Sequence, residues 1–505
     1  MISAFSNTFK IPELRNRVLF TLLMLIVVRV GAAISCPGID ASLLQLWFNS
    51  ELSQQGGGNI AALVNLFSGG ALENCAVFAL GVMPYITAAI MFQLLTAVVP
   101  QLSKLSKEDG GRQKIAQYTR YATIALCIFQ GYLLALTFVN PASSPFISGI
   151  KTLMDQTGRS LVIEPGPWFM FSTVLTLTTG TMFLMWVGDQ ITDQGIGNGM
   201  SLIITVGIVA QLPAGLVQAW KTFVPSGGAA SQVNPMVLVL MVAFFILVIA
   251  AVICVTEAQR KISVQYAKRV VGRKVYGGQT QYMPLKVNYA GVMPIIFAQA
   301  LLMFPAQIVN MAFAEDSAFG QVARRIAGAL ADGTAHYIFY GAMIFFFSYF
   351  WVATQFQPQQ IADDLKKYGG YIPGVRPGKP TADFLDFTMT RLTFAGAVFL
   401  TIIAIMPQFL SRQMGVPPLA AQFFGGTSLL IMVGVVLETM RQIETHLIQR
   451  HYDGFLRKGK ARGRYDRSPT GRDEAKQQRV VVWAYVAVAI LVIAVVTMLL
   501  AWEFQ

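Results

Sequence analysis

The chain has 505 residues, of which 54% are hydrophobic and only 12% charged, against about 25% charged in a soluble domain. A water-facing surface cannot be built from so few ionised groups. That sets aside a soluble enzyme, a disordered chain and, despite the net charge of +13, a nucleic-acid-binding domain. Cys36, Cys75, Cys127 and Cys254 are far apart in sequence and make neither a CxxC metal pair nor a disulfide framework.

Residues 10–17, with Pro12 and their charges, lead directly into an apolar stretch at 18–35, so no cleavable signal peptide is expected. The next apolar piece, 60–74, is interrupted by Asn65, Gly69, Gly70 and Glu73 and is too short to cross; it reads as a half-helix entering the membrane region. Stretches of bilayer length follow at 76–100, 116–139, 167–187, 196–216, 235–256, 288–312, 335–356, 387–409, 420–447 and 480–502, making eleven spans with the first. The basic residues set their direction. With the N-terminus inside, 31 of the 38 Lys and Arg fall on inner segments or the helix ends beside them. The N-terminus is therefore expected inside and the C-terminus outside.

No soluble domain interrupts this pattern. Residues 1–216 and 235–447 form two membrane halves of five spans each, joined by an outer linker at 217–234 and followed by a basic tail at 448–479. An odd number of spans per half means opposite orientation for equivalent halves, as in inverted repeats.

Side-chain chemistry is scarce. His336, His446 and His451 make no HExxH, and GxSxG and P-loop patterns are absent. The charges within or beside spans, Arg29, Glu73 and Glu438, read as end-of-helix residues that snorkel or cap. The connecting segments are more unusual. Residues 257–287 alternate apolar and basic side chains before a Gly277–Gly278 turn, and 363–380 hold Arg376 in a proline- and glycine-rich turn. Both suit the docking of a large anionic or acidic partner through contacts that salt weakens. From the residues alone, a secondary transporter of small solutes and a non-conducting membrane scaffold stay open.

At these segments the chain closely resembles the SecY family of protein-conducting channels, over about residues 10–464. The resemblance rests on NLFSGGAL at 65–72, GVMPYITAAIMFQLL at 81–95, MWVGDQITDQGIGNGMSLII at 185–204, EAQRKISVQYAKR at 257–269, ADDLKKYGGYIPGVRPGKPT at 362–381 and FGGTSLLIMVGVVLETMRQIE at 424–444. It implies an all-α polytopic membrane protein of the bacterial cell membrane: a ten-span channel in two pseudo-symmetric halves with a plug half-helix. The resemblance does not cover the stretch at 480–502, an additional span. Where the family commonly carries glutamates between its fourth and fifth spans, this chain has Asp189 and Asp193, which keep the charge and shorten its reach.

The resemblance also implies roles for residues at matching positions. The pore ring would comprise Ile86, Ile90, Met200, Ile204, Ile296 and Ile431, and the plug, about 61–73, would include Asn65, Gly69, Gly70 and Glu73. Small residues in that segment would allow close approach and easy withdrawal. Thr87, Gln93, Asn288 and Gln299 would line a lateral gate between the second and seventh spans, and Arg260, Lys268, Arg269 and Arg376 would dock SecA or a ribosome. The implied companions are SecE, SecG and SecA, the ribosome, signal sequences, unfolded preproteins and membrane lipids, with SecDF and YidC as further candidates. No cofactor or metal is implied, and ATP hydrolysis would belong to SecA.

Overall fold

The computed structural model describes residues 12–54, 65–108, 110–141, 150–223, 235–266, 269–271, 274–276, 280–299, 301–302, 334–414, 421 and 426–457. Helix α1 (Pro12–Gly31) opens on a proline with Glu13 in its first turn and carries Arg29 in its last, the arrangement that suits the helix dipole. Its Leu19, Leu22, Leu23, Ile26 and Val30 are exposed. Such a stripe would be a liability in water and is what a hydrocarbon solvent requires. α2 (Ala41–Gln54) follows, and then residues 65–82, a short helical turn and a run of turns, lead into α3 (Met83–Val98).

The expected span at 76–100 is corrected at both ends. Its helix starts only at Met83, after Gly81 at φ +58°. At its far end Val99 is extended (ψ 114°) because Pro100 follows it. The axis then turns by 104° into α4 (Pro100–Lys107). Long helices come next: α5 (Gly111–Val139), the short α6 (Ile150–Thr157), α7 (Pro167–Gln194), α8 (Gly199–Phe223) and α9 (Pro235–Glu257). After a strand region come α10 (Thr334–Gln355), α11 (Pro358–Lys367), α12 (Lys379–Met414) and α13 (Gly426–Arg457). Residues 293–299 are also helical.

Among the described residues six helices are long and apolar enough to cross a bilayer, and the bent α3–α4 pair would make a seventh. The chain is an all-α polytopic membrane protein in its membrane part. On α7, exposed Trp168 and Trp186 stand 18 residues apart with exposed Phe171 and Leu175 between them. At 1.5 Å per residue that is about 27 Å, close to the thickness of the hydrocarbon layer, with an indole at each edge.

The membrane part carries one β-structured appendage. β1 (Gln259–Tyr266) pairs antiparallel with β4 (Thr280–Lys286), from Gln259 opposite Lys286 to Gln265 opposite Thr280. β2 (Arg269–Val271) and β3 (Lys274–Tyr276) form a small hairpin between them. β5 (Gly370–Tyr371) adds to the other edge of β1 at Gln265 and Tyr266. The alternation seen in this segment is thus a strand period, with Ile262, Val264 and Leu285 buried and Arg260 and Lys261 exposed.

Apolar packing gathers in three main clusters. One joins α9, 290–298, α10, α12 and α13 to the buried face of the sheet. A second packs α2 and α6, with Trp47 fully buried, against α5 and α7. The third lies between these elements and holds the site described next.

Candidate functional site

The third cluster buries Leu66, Phe67, Ile204, Ile208, Ile431 and Val435, with Ile86, Met200, Val292 and Ile296 packed against them. α3, α8, the 292–296 segment and α13 meet here, together with α1, α7 and residues 66–82. Five of the six ring candidates (Ile86, Met200, Ile204, Ile296 and Ile431) share this cluster. Ile90, one turn further along α3, belongs to the first cluster, against which Ile86 and Ile296 also pack. This collar is apolar and branched except for Met200, and Ile431 within it is only 2% exposed.

Residues 65–74 sit on this collar. Gly69 and Gly70 adopt φ +69° and +84°, which glycine reaches without strain. A Cβ on Gly69 would stand 2.6 Å from the Gly207 Cα of α8, so the two backbones touch where neither has a side chain. The Gly69 carbonyl accepts a 2.8 Å hydrogen bond from the Arg29 guanidinium. Asn65, 3% exposed, binds the other end of the segment: its Oδ1 accepts from Glu73 N at 2.9 Å and its Nδ2 donates to Glu73 Oε2 at 3.3 Å. Asn65 O accepts from Gly70 N at 2.9 Å and from Gln211 Nε2 at 3.5 Å. Asn65, Gly69, Gly70 and Glu73 thus belong to one folded turn; residues 61–64 lie outside the described residues.

The small residues of this segment are not its whole anchorage. Leu66 and Leu72 are each 1% exposed and Phe67 is 8% exposed. Withdrawal would strip these three large side chains from their contacts as well.

The gate candidates are dispersed, two on α3 and two in 288–299. Thr87 Oγ1 donates within its own helix to Met83 O at 3.0 Å, and Gln93 is half-buried further along α3. Asn288 is buried beside Gly396 of α12. Gln299 Oε1 is buried without a hydrogen-bond partner among the described residues. Of the docking candidates, Arg260 is exposed on β1 and Arg376 in the turn after β5, where its carbonyl accepts from Thr381 Oγ1 at 2.8 Å. Arg269 contributes its backbone to β2 opposite Tyr276, and Lys268 lies outside the described residues. Strand pairing brings the Arg260 and Arg376 segments onto one platform, and Tyr371 Oη donates to Gln265 Oε1 at 3.0 Å across the junction. Asp189 pairs with Arg120 at 2.7 Å, joining α7 to α5. Among the described residues no group of three or more His, Cys, Asp or Glu is placed to hold a metal ion.

Residues 76–440, which include the collar and the platform, match the SecY family model. The chain belongs to the SecY family. Protein translocase subunit SecY of Streptomyces scabiei is 42% identical over 461 residues, 90% of this chain and 100% of that protein. The Thermus thermophilus subunit is 43% identical over 467 residues, covering 92% of this chain and 100% of its own length. Two solved structures share the fold. One is described as a protein conducting channel (TM-score 0.53, 16% identity, 86% of this chain and 93% of that one). The other was solved to show how a plug domain stabilises the closed channel (TM-score 0.54, 19% identity, with the same coverage).

Three features of this SecY-family site escape sequence reasoning. Arg29 is at a helix end, as expected, but it spends its charge on the Gly69 carbonyl. Gly207 and Gln211 of α8 form the seat; their signal, a glycine and an amide in an otherwise apolar helix, was present but unspecific. The loop at 195–198 is the third. Ile196 N donates to Thr21 Oγ1 at 3.1 Å, and Gly197 N donates to Gln442 Oε1 at 2.9 Å. The Ile196 side chain packs with Leu14 and Ile443. This loop joins α1 to α13, the first and last described helices.

Proposed function

We propose that the chain is the central subunit of a SecYEG translocase, conducting unfolded secretory proteins across the cell membrane and releasing membrane segments sideways into lipid. The observation that carries this reading is the glycine-rich turn at 65–74 seated on an apolar collar. A conduit for chains of any sequence cannot use fixed polar ligands, which would select, or an open polar hole, which would leak. A short apolar constriction dewets when empty and yields around a passing chain. In this reading Ile86, Ile90, Met200, Ile204, Ile296 and Ile431 are that constriction, and the segment with Asn65, Gly69, Gly70 and Glu73 is the plug.

Signal segments would leave between α3 and 288–299, past Thr87, Gln93, Asn288 and Gln299. Pro84 and Pro294 fall in the first turn of their helices, where no intrahelical hydrogen bond is lost, so they start these helices instead of loosening them. Apart from Ile86, Ile90 and Leu94, the first cluster draws on 235–447, and the second lies within 1–216, which supports two halves, 1–216 and 235–447, moving about the linker at 217–234. Arg260, Arg269 and Arg376, with Lys268, would receive SecA or a ribosome. SecE and SecG would complete the complex, and SecA would hydrolyse ATP. Ten spans from an inner N-terminus would return the chain inside at residue 448. The uncharged stretch at 480–502, outside the described residues, would then cross once more, its 23 residues reaching about 34 Å as a helix.

The chain reconstituted with SecE in vesicles, given SecA, ATP and a presecretory protein, is expected to yield protease-protected product only when every component is present. Absence of product from the full mixture, or saturable uptake of a small solute by the chain alone, would overturn the reading. For topology, a cysteine added after Gln505 should react with an impermeant maleimide from outside, and Ser468→Cys only after permeabilisation. Labelling of both from one side would refute the last span.

A further inference from the structure

Residues 34–36, just beyond α1, run antiparallel to 75–77, the stretch that leaves the plug. Ser35 is bridged to Ala76, Cys36 N donates to Cys75 O at 2.8 Å, and Val77 N donates to Ile34 O at 2.9 Å. In this register Cys36 stands directly opposite Cys75. Cys75 N itself turns to Leu72 O at 3.0 Å, but the one bond from Cys36 N to Cys75 O holds the two Cα atoms within about 6.7 Å by standard backbone dimensions, inside the roughly 4.4–6.8 Å that a disulfide spans. Both thiols lie in the same buried cluster, 3% and 1% exposed. Cys75 holds φ +44°, alone among the described non-glycine residues in being left-handed. Such a position favours glycine; here it carries a cysteine, and it faces another.

We propose that Cys36 and Cys75 are a disulfide-forming pair that, when oxidised, fastens the outgoing end of the plug to the outer end of α1. The proposal rests on the N-inside topology, which puts both residues on the outer side, where thiols meet oxidants. The oxidant is a disulfide-bearing protein or small molecule. One thiolate attacks its S–S bond to give a mixed disulfide, and the second thiolate displaces the remaining half. The pair loses two electrons and two protons, one S–S bond forms, and the oxidant leaves as two thiols. Burial pushes the Cys36 thiol up to about 12 and the Cys75 thiol higher still. Exchange is accordingly slow once the segment has packed, and the bond forms as the chain inserts.

The consequence is a fixed pivot. Residues 65–74 can swing from the collar, while residue 75 stays with α1 and brings the plug back to the same seat. The test is made on the full chain in its native membranes. Free thiols are blocked with N-ethylmaleimide before lysis, and the protein is denatured and digested without reductant. The expected product is a Cys36–Cys75 linked peptide, two hydrogen masses lighter than the sum of its parts and split by reductant. Maleimide on both cysteines after denaturing alkylation would overturn the proposal. The topology is checked separately in the Cys36→Ser/Cys75→Ser chain carrying Glu164→Cys, which should label from outside with an impermeant maleimide. If it labels only from inside, the topological reading fails first. If it labels from outside while the native pair stays reduced, the pairing alone is wrong. Reductant should also lower the thermal unfolding temperature of the native complex and leave that of the Cys36→Ser complex unchanged; equal shifts in both would count against the bond.

Discussion

Where residues 65–74 rest on α8, Gly69 lies on Gly207 with no room for a methyl group, and a buried asparagine and an arginine satisfy the turn's own polar atoms. On the β1–β4–β5 platform the order is reversed: the apolar side chains face inward, and Arg260 and Arg376 stand in solvent on main-chain scaffolding. The seat works by excluding atoms and the platform by presenting charge. Mutations should therefore act on the first through shape and on the second through electrostatics.

The largest effect expected is at the seat. Gly69→Val puts a branched side chain at φ +69° and against the Gly207 backbone, costing the seated form about 2–4 kcal/mol. That is a shift of roughly 30-fold or more toward the unseated form, read as raised resting ion conductance in planar bilayers. Conductance at the wild-type level would show that the segment is not the seal.

On the platform, Arg376→Glu replaces an exposed donor with a repelling carboxylate. SecA-driven translocation into vesicles should fall about tenfold, with membrane insertion of the channel unchanged. Equal rates at matched amounts of complex would remove Arg376 from the docking surface.

A smaller effect is expected in the collar. Ile431→Asn introduces an amide into a position 2% exposed, at a cost of about 1–3 kcal/mol to the closed form. Export of signal-defective substrates relative to normal ones should rise several-fold, and an unchanged ratio would argue against the assigned ring.

The smallest lies away from both regions, at the start of α2. Asp40 Oδ1 accepts from Ser42 Oγ at 2.6 Å and from Ser42 N at 3.1 Å, capping the helix. These bonds hold its carboxyl below the usual range, the serine hydroxyl foremost. A carboxyl lowered on folding adds stability above its unfolded value of 3.8, lost as pH falls through the folded value. Ser42→Ala should narrow that acid-side loss and leave stability near pH 7 only slightly reduced. An acid unfolding profile identical to wild type would show that the Ser42 hydroxyl does not set that carboxyl's shift.

The spans are the part most legible in sequence. α5, α7, α10 and α12 contain or closely overlap the stretches expected at 116–139, 167–187, 335–356 and 387–409, because hydropathy reports membrane burial directly. Helix ends are less legible. α12 begins at Lys379 and α13 runs to Arg457, since an amphipathic extension beyond the membrane leaves no apolar run. The expected stretch at 288–312 is described only to 302, and that at 480–502 not at all. The convergence of Ile86, Met200, Ile204, Ile296 and Ile431 on one cluster was readable only through family resemblance, because one isoleucine in a span looks like any other. The seat was not readable. Nothing in the spacing of Arg29, Gly69, Gly207 and Gln211 announces that they meet, and the opposition of Cys36 to Cys75 depends on a register fixed by just a few main-chain bonds.

The platform also bears on how a soluble partner could reach the membrane interior. Six residues of bend and turn, 287–292, separate β4 from the helix at 293–299, and Val287 N donates to Ala258 O at 3.0 Å where β1 leaves α9. β5 ties the same sheet to the segment that opens α12. The sheet is thus tied at its root to α9, to the 293–299 helix and to the approach to α12 at once, so a tilt imposed on it would pull on all three, and in the channel reading a partner bound to the platform would act on the helices that flank the proposed exit.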